Sequence, residues 1–221
     1  MSESLYILWH GGLGDALICN SLVRHFAKDF NVFVPVKHRN VPSVNFQFRD
    51  DPRIQIIPVD DDQQARDIAE GRDKHKLKTL RLGLHGEGFD IDHWDTDLYR
   101  MAGLRPELRW EGFHVVRDPH REVKTLDYPY VFVHDDRTRC FFIDPEKLPD
   151  IPAVFAHKSA TIFDWCAVIE NATEIHCIDS AFLSLVDLMS KVNAKRLVFH
   201  KYARPGGREP TKLRRHWEIL E

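Results

Sequence analysis

Short apolar runs suited to buried strands alternate with helical stretches along this chain, and the alternation occurs twice. In the first half the runs are residues 5–9 (Leu-Tyr-Ile-Leu-Trp), 31–36, 54–57 and, with a weaker pattern, 76–84. Between them Ala16, Leu17, Leu22, Val23 and Phe26 recur at helical spacing and end near Lys28. A short helical segment follows Pro42, and polar residues 61–72 read as a solvated helix. In the second half the runs are 130–134, 152–155, 174–178 and 196–200, with helices expected over 161–171 and 180–191. Such alternation demands parallel pairing, because each helix carries the chain back to start the next strand at the same edge. The expected fold is α/β: two Rossmann-like halves with parallel sheets, facing across a cleft.

Residues 85–119 interrupt the pattern; they are rich in Asp, Gly and Trp, with one helix over 95–102 stopped by Gly103. The sequence thus divides into a first half, 1–119, that includes this irregular segment, and a smaller second half, 120–221. With 43% apolar and 29% charged residues the chain is an ordinary globular one. A net charge of −3 argues against a surface that coats nucleic acid. The exception is 195–215, where eight Lys or Arg residues meet one acid, Glu209. We read it as a terminal segment that crosses back toward the first half, anchored by Trp217 and Leu220. No window approaches the roughly 18 apolar residues of a membrane span. The N-terminus lacks a signal-peptide pattern, so the expected location is cytoplasmic. Cys19, Cys140, Cys166 and Cys177 form no C-x-x-C pair and sit in apolar runs, as reduced core cysteines do.

His10-Gly11-Gly12-Leu13-Gly14-Asp15 joins the first strand to the first helix. Its glycines permit a sharp turn and close approach of a ligand, and the helix start offers free N–H groups. The spacing is neither the dinucleotide fingerprint nor a P-loop. Asp15 repels phosphate, so two readings stand: a base facing a sugar hydroxyl, or a cap on the first helix. In the second half Asp179-Ser180-Ala181 opens a helix in the same way. It is a good N-cap and also a place where backbone N–H groups and the Ser180 hydroxyl can hold a diphosphate. His134-Asp135-Asp136-Arg137-Thr138-Arg139 ends one strand and His200-Lys201-Tyr202 another, where open α/β sheets bind ligands. Arg137 or Arg139 can neutralise phosphate, or each can be a solvated, salt-bridged residue. His85, Glu87, Asp90, Asp92, His93, Asp95 and Asp97 crowd together without metal-ligand spacing. We read that segment as an acceptor-binding loop and expect no metal.

Leu13-Gly14-Asp15-Ala16-Leu17-Ile18 resembles the Gly-Asp turn of family 9 glycosyltransferases. His176-Cys177-Ile178-Asp179-Ser180-Ala181-Phe182-Leu183 resembles that family's later Asp-Thr-Gly loop and helix, with Ser-Ala in place of Thr-Gly. The two motifs occur in the family's order, one in each half, in a chain shorter than most members. The resemblance implies a GT-B architecture and inverting transfer of a sugar from a nucleotide-diphosphate donor, with no cofactor and no required metal. It implies Asp15 as general base; since Asp15 repels phosphate, we read His10, Gly11, Gly12 and Gly14 as the acceptor-side loop. It implies Asp179, Ser180 and Ala181 on the donor's phosphates with Arg139 or Arg137 as the phosphate-binding cation; to these our reading of the strand ends adds His134 and Lys201 on the donor side. The acceptor is left open, a glycan or small molecule being favoured over nucleic acid. The competing expectation is a non-catalytic module that binds a nucleotide or nucleotide-sugar.

Overall fold

The computed structural model describes residues 3–157 and 159–221, which divide into two compact units at Val116 and Arg117. In the first unit a four-stranded sheet is built from β1 (Ser4–Leu8), β2 (Asn31–Lys37), β3 (Ile54–Val59) and β4 (Lys78–Arg81). Its order is β3-β2-β1-β4 and every pairing is parallel. β1 is a central strand, which is why its residues from Leu5 onward are buried on both faces. Leu5 and Ile7 join one core cluster with Leu17's neighbours Ala16 and Ile18, and with Leu22 and Val23; Tyr6 and Leu8 join another with Ala65 and Ala69. The period of two in the strand thus separates two apolar faces, each covered by helices.

α1 (Leu13–Ile18) and α2 (Asn20–Phe26) follow β1, where the sequence suggests one helix. They meet at Cys19, whose ψ of 1° tightens the backbone without breaking the hydrogen-bond ladder: Cys19 N–H donates to Asp15 and Val23 N–H to Cys19. α3 (Val41–Phe48) follows β2, α4 (Asp62–Lys74) follows β3, and α5 (Trp94–Met101) and α6 (Leu108–Glu111) lie in the irregular segment. α5 ends at Gly103, with φ of +71°, a conformation open to glycine.

That segment is anchored to the first unit. Asn20 and His114 exchange two hydrogen bonds, and Ser21 Oγ donates to the Arg109 carbonyl. Arg109 and Asp95, both buried, pair at 2.8 Å. Asp97 takes Arg100 and the Asp90 N–H, while His93 contacts Asp90 at 2.8 Å. Asp90, Asp95 and Asp97 thus have structural partners within the segment.

The second unit carries β5 (Val131–His134), β6 (Ala153–Phe155), α7 (Cys166–Asn171), β7 (Glu174–Cys177), α8 (Ala181–Leu188), β8 (Arg196–His200) and β9 (Glu218–Leu220). The sheet is parallel, in the order β6-β5-β7-β8-β9. β9 corrects the reading of the tail: the chain end joins the second sheet beside β8 instead of leaving it. Several of the tail's residues are held within this unit. Arg196 forks onto Glu218, Lys201 reaches Glu221 at 2.7 Å, Arg204 pairs with Asp179, and buried Asp187 accepts the Arg214 and Arg215 N–H groups. Cys19, Cys166 and Cys177 are buried as expected, but Cys140 is exposed, in a left-handed turn at φ of +60°.

The Asp95–Arg109 pair sets a test of the first unit. Arg109→Met leaves a buried carboxylate without its guanidinium, a loss of about 3–5 kcal/mol. Urea unfolding followed by tryptophan fluorescence should show it, and an unmoved midpoint would contradict the structural role.

Candidate functional site

Each sheet has a switch point, where the chain leaves one side of the first strand and returns on the other. In the first unit this lies between β1 and β4, in the second between β5 and β7.

At the first switch point the glycine loop leaves β1. Gly11 N–H donates to Asp62 Oδ1 at 3.0 Å, and Asn40 Nδ2 donates to the Gly11 carbonyl at 3.1 Å. Lys37 Nζ reaches Asp62 Oδ2 at 2.7 Å, and His10 Nδ1 lies 3.3 Å from the same oxygen. A Cβ on Gly11 would lie 3.0 Å from Lys37 Cε and 3.2 Å from Asp62 Oδ1, so the protein's own side chains crowd this position. The loop's first N–H groups are accordingly not free: Gly11 is taken by Asp62 and Gly12 by the His10 carbonyl. Burial alone would raise the Asp62 carboxyl, but the Lys37 and Gly11 hydrogen bonds outweigh it and hold the group below its usual range.

Asp15 is the third residue of α1 and half-buried; the N-cap is Gly12, with no side-chain cap bond. Its carboxylate lies in the first turn, near the positive end of the dipole. It folds over the loop so closely that a Cβ on Gly12 would meet Asp15 Oδ2 at 2.5 Å. Gly14 is the second residue of the same helix.

His85, which follows β4, joins His10 and Asp62, with one ligand atom of each within 4.8 Å of the others. Its Nε2 is buried without a hydrogen-bond partner, and desolvation followed by the Arg66 charge lowers its pKa. Sequence reading grouped His85 with the acids after it. The switch point, which depends on strand order, brings it to residues far away in the chain.

At the second switch point a cleft of about 510 Å³ is lined by His134, Asp135, Asp136, Arg137, Thr138, Phe155, Ala156, His157 and Phe182. The His134 ring lies 4.3 Å from that of Phe182, and Arg137 sits 4.5 Å above Phe155. Arg137 Nε is 3.5 Å from Asp135, a loose pairing that leaves the guanidinium two-thirds exposed. Arg139 is held by Asp136 at 2.6 Å and does not line the cleft. Ser180 is the N-cap of α8, yet its Oγ makes no cap bond and is buried without a partner. Ala181 opens that helix. Asp179 is drawn to Arg204 and to the Arg208 N–H, and Lys201 to Glu221. Of the residues singled out from the sequence, His134 and Arg137 therefore meet in one cleft, Ser180 and Ala181 begin the adjoining helix, and Asp179 and Lys201 bind elsewhere in the unit. Phe155 and Phe182 were not singled out; an aromatic beside a strand end or helix start is the signal that marks them.

Burial pushes the His134 imidazole down to about 4, with Asp136 and Arg139 acting in opposite directions, so it is neutral near pH 7. On β7 and β8, His176 and His200, both fully buried, meet at 2.8 Å. The Tyr202 hydroxyl accepts the Asp144 N–H and lies 3.1 Å from His200 Nδ1. A consistent proton assignment runs from the Tyr202 O–H to His200, from His200 Nε2–H to His176, and from His176 Nε2–H to Glu174. Both imidazoles are then neutral, and burial followed by the His176 and Arg196 neighbours takes His200 down to about 4.

These depressed values fix a sign. As pH falls below about 6.5 the unfolded chain takes up protons that His134 and His200 in the folded chain refuse. Their stabilisation is complete above that pH and lost as it falls toward 4. The expected slope is up to about 1.4 kcal/mol per pH unit for each histidine. Urea titrations between pH 7 and 4.5 should give a shallower slope for His134→Phe, which keeps the stack on Phe182; parallel slopes would contradict the buried neutral imidazole.

No protein-family model matches this sequence, and no curated protein matches it. Similarity appears among solved structures. The iron-containing dodecameric glycosyltransferase TibC from enterotoxigenic E. coli H10407 aligns with a TM-score of 0.56 at 12% identity, over 90% of this chain and 58% of that one. A structure of the iron-containing heptosyltransferase TibC in complex with ADP-D-β-D-heptose gives 0.57 at 11% identity, over 94% and 60%. A family 9 glycosyltransferase from Veillonella parvula DSM 2008 gives 0.54 at 9% identity, over 99% and 87%. This chain thus spans about three-fifths of the TibC chains. At these identities the likeness is one of fold: two Rossmann-like parallel sheets, as in GT-B-like glycosyltransferases.

Proposed function

We propose that this chain is a glycosyltransferase that moves a sugar from a nucleotide-diphosphate donor to an acceptor hydroxyl, with inversion and with no metal in the transfer step. The observation that carries the reading is the cleft beyond β5 and β7, where aromatic rings, the exposed Arg137 guanidinium and the start of α8 converge. Aromatic faces suit a nucleobase or sugar, and a guanidinium beside a helix N-terminus suits a diphosphate. The donor belongs to this second unit, and an ADP-sugar is the first to test because the TibC complex holds one.

In this reading Asp15 takes the proton from the acceptor hydroxyl as its oxygen bonds to the anomeric carbon. The bond from that carbon to the diphosphate breaks on the opposite face, which inverts the centre. Negative charge grows on the leaving diphosphate, where Arg137 and the α8 N–H groups oppose it. Asp15 suits the base role because it is half-buried and its placement over Gly12 fixes the carboxylate. The first-unit loop of His10, Gly11, Gly12 and Gly14 then carries the acceptor, a glycan or small molecule in preference to nucleic acid. The reaction uses no cofactor beyond the nucleotide-sugar, and its expected location is the cytoplasm. Among the described residues no helix is long and apolar enough to cross a membrane.

Diphosphate release from a panel of nucleotide-sugars, with mass-spectrometric detection of glycosylated acceptors, tests the reading. Asp15→Asn should keep donor affinity by calorimetry and lower turnover by about 10²-fold or more. Arg137→Ala should weaken donor binding by about tenfold or more, the worth of a hydrogen bond to a charged group. Undiminished turnover in Asp15→Asn would remove it as the base. Donor binding with no turnover on any acceptor would favour a non-catalytic nucleotide-sugar module.

A further inference from the structure

We propose that His10, Asp62 and His85 form a binding site for a divalent transition metal of the zinc class, which clips together the loop after β1, the start of α4 and the loop after β4. Among the described residues this is the one group of three His, Cys, Asp or Glu side chains whose ligand atoms all lie within 4.8 Å of one another. Two imidazoles and a carboxylate suit zinc, cobalt or ferrous iron, whereas calcium and magnesium prefer all-oxygen sites and cuprous ions prefer sulfur.

The geometry is close to a coordination shell. Zinc bonds of 2.0–2.1 Å place the ligand atoms of a tetrahedron about 3.3 Å apart. His10 Nδ1 and Asp62 Oδ2 already stand 3.3 Å apart. His85 must close a distance of at most 4.8 Å to the others, within reach of a modest side-chain rotation. Its Nε2 is buried without a hydrogen-bond partner, an orphan that an ion bound by that nitrogen would satisfy. The carboxylate is oriented from behind, as metal-bound carboxylates are: Gly11 N–H holds Oδ1.

Three protein ligands leave a fourth position for water. The ion would also tie together three chain ends that only the fold makes neighbours, and so stiffen the loop that leads to Asp15. Lys37 opposes it, since its ammonium shares Asp62 Oδ2 and adds a positive charge beside the site. That opposition distinguishes the proposal from a plain loop-pinning ion pair. Removing Lys37 weakens an ion pair but strengthens a metal site.

The site belongs to the first unit alone, and the ion takes no part in the transfer step proposed above, so either reading can fail without the other. The test uses the full chain, untagged and stripped with chelator. Zn²⁺ is titrated by calorimetry, and Co²⁺ by the visible absorption of nitrogen- and oxygen-bound cobalt. We expect one ion per chain and a raised melting temperature in Zn²⁺. His10→Gln, Asp62→Asn and His85→Gln should each weaken binding about a hundredfold or more, beyond the cost of losing an outer-shell partner. Lys37→Met should bind at least as tightly as the parent. His10 is half-exposed, so its variant keeps the test decisive if the other two lose their fold. No saturable one-to-one binding, binding that survives the His10 substitution, or weakened binding in Lys37→Met overturns the proposal.

Discussion

Parallel pairing points every strand of a sheet the same way, so the carboxyl ends of the strands, and the loops that follow them, share one edge. The rest of this molecule depends on that constraint. It gathers Trp9, Lys37, Val59 and Leu82 at one edge of the first sheet and His134, Phe155, Cys177 and His200 at one edge of the second. Where the chain reverses its direction across the sheet, the loops on either side diverge and leave a crevice. The glycine loop and His85 occupy one such place, and the cleft of His134, Arg137 and Phe182 occupies the other.

Within that frame a few carboxylates do most of the fixing. Asp62 holds the glycine loop through Gly11 and draws Lys37 across it; Asp136 organises the turn that ends in Arg139; Asp179 and Asp187 capture the basic tail. Exposed ion pairs contribute little to stability, typically below about 1 kcal/mol. Their worth here lies in position. Each consumes backbone N–H groups or cations that would otherwise compete for a ligand, and what is left over marks the chemistry. In the second unit the groups left over at the cleft include Arg137, loosely paired, and, buried and unbonded, His134 Nδ1 and Ser180 Oγ at the start of the adjoining helix.

Much of the fold was legible because it is written in local periods. The apolar runs at 5–9, 31–36 and 196–200 became β1, β2 and β8, and Gly103 ended α5 where a positive φ was needed. The two motif turns were legible as strand-to-helix joints for the same reason. What local reading missed follows from distance in the chain. The acids of 85–97 looked like a ligand-binding cluster, but Asp95 finds Arg109 in the core and His85 turns to residues far upstream. The basic tail reads as a segment crossing back toward the first half, yet Arg204 finds Asp179, the Arg214 and Arg215 N–H groups find Asp187, and the last residues find an open strand edge beside β8.

By itself the sequence determined the α/β class, the succession of elements, the division into two halves and the identity of the turns that carry Asp15 and Ser180. Those properties arise from neighbours a few residues apart, through side-chain alternation, helix spacing and glycine's freedom. Only the tertiary structure decided strand order, and with it which ends lie beside which. Whether Asp62 pins the glycine loop, whether Phe182 stacks on His134, and whether the tail becomes β9 all depend on pairings between residues far apart in the chain. No local pattern encodes them, because they are chosen by the joint burial of two apolar faces and the satisfaction of every buried polar group.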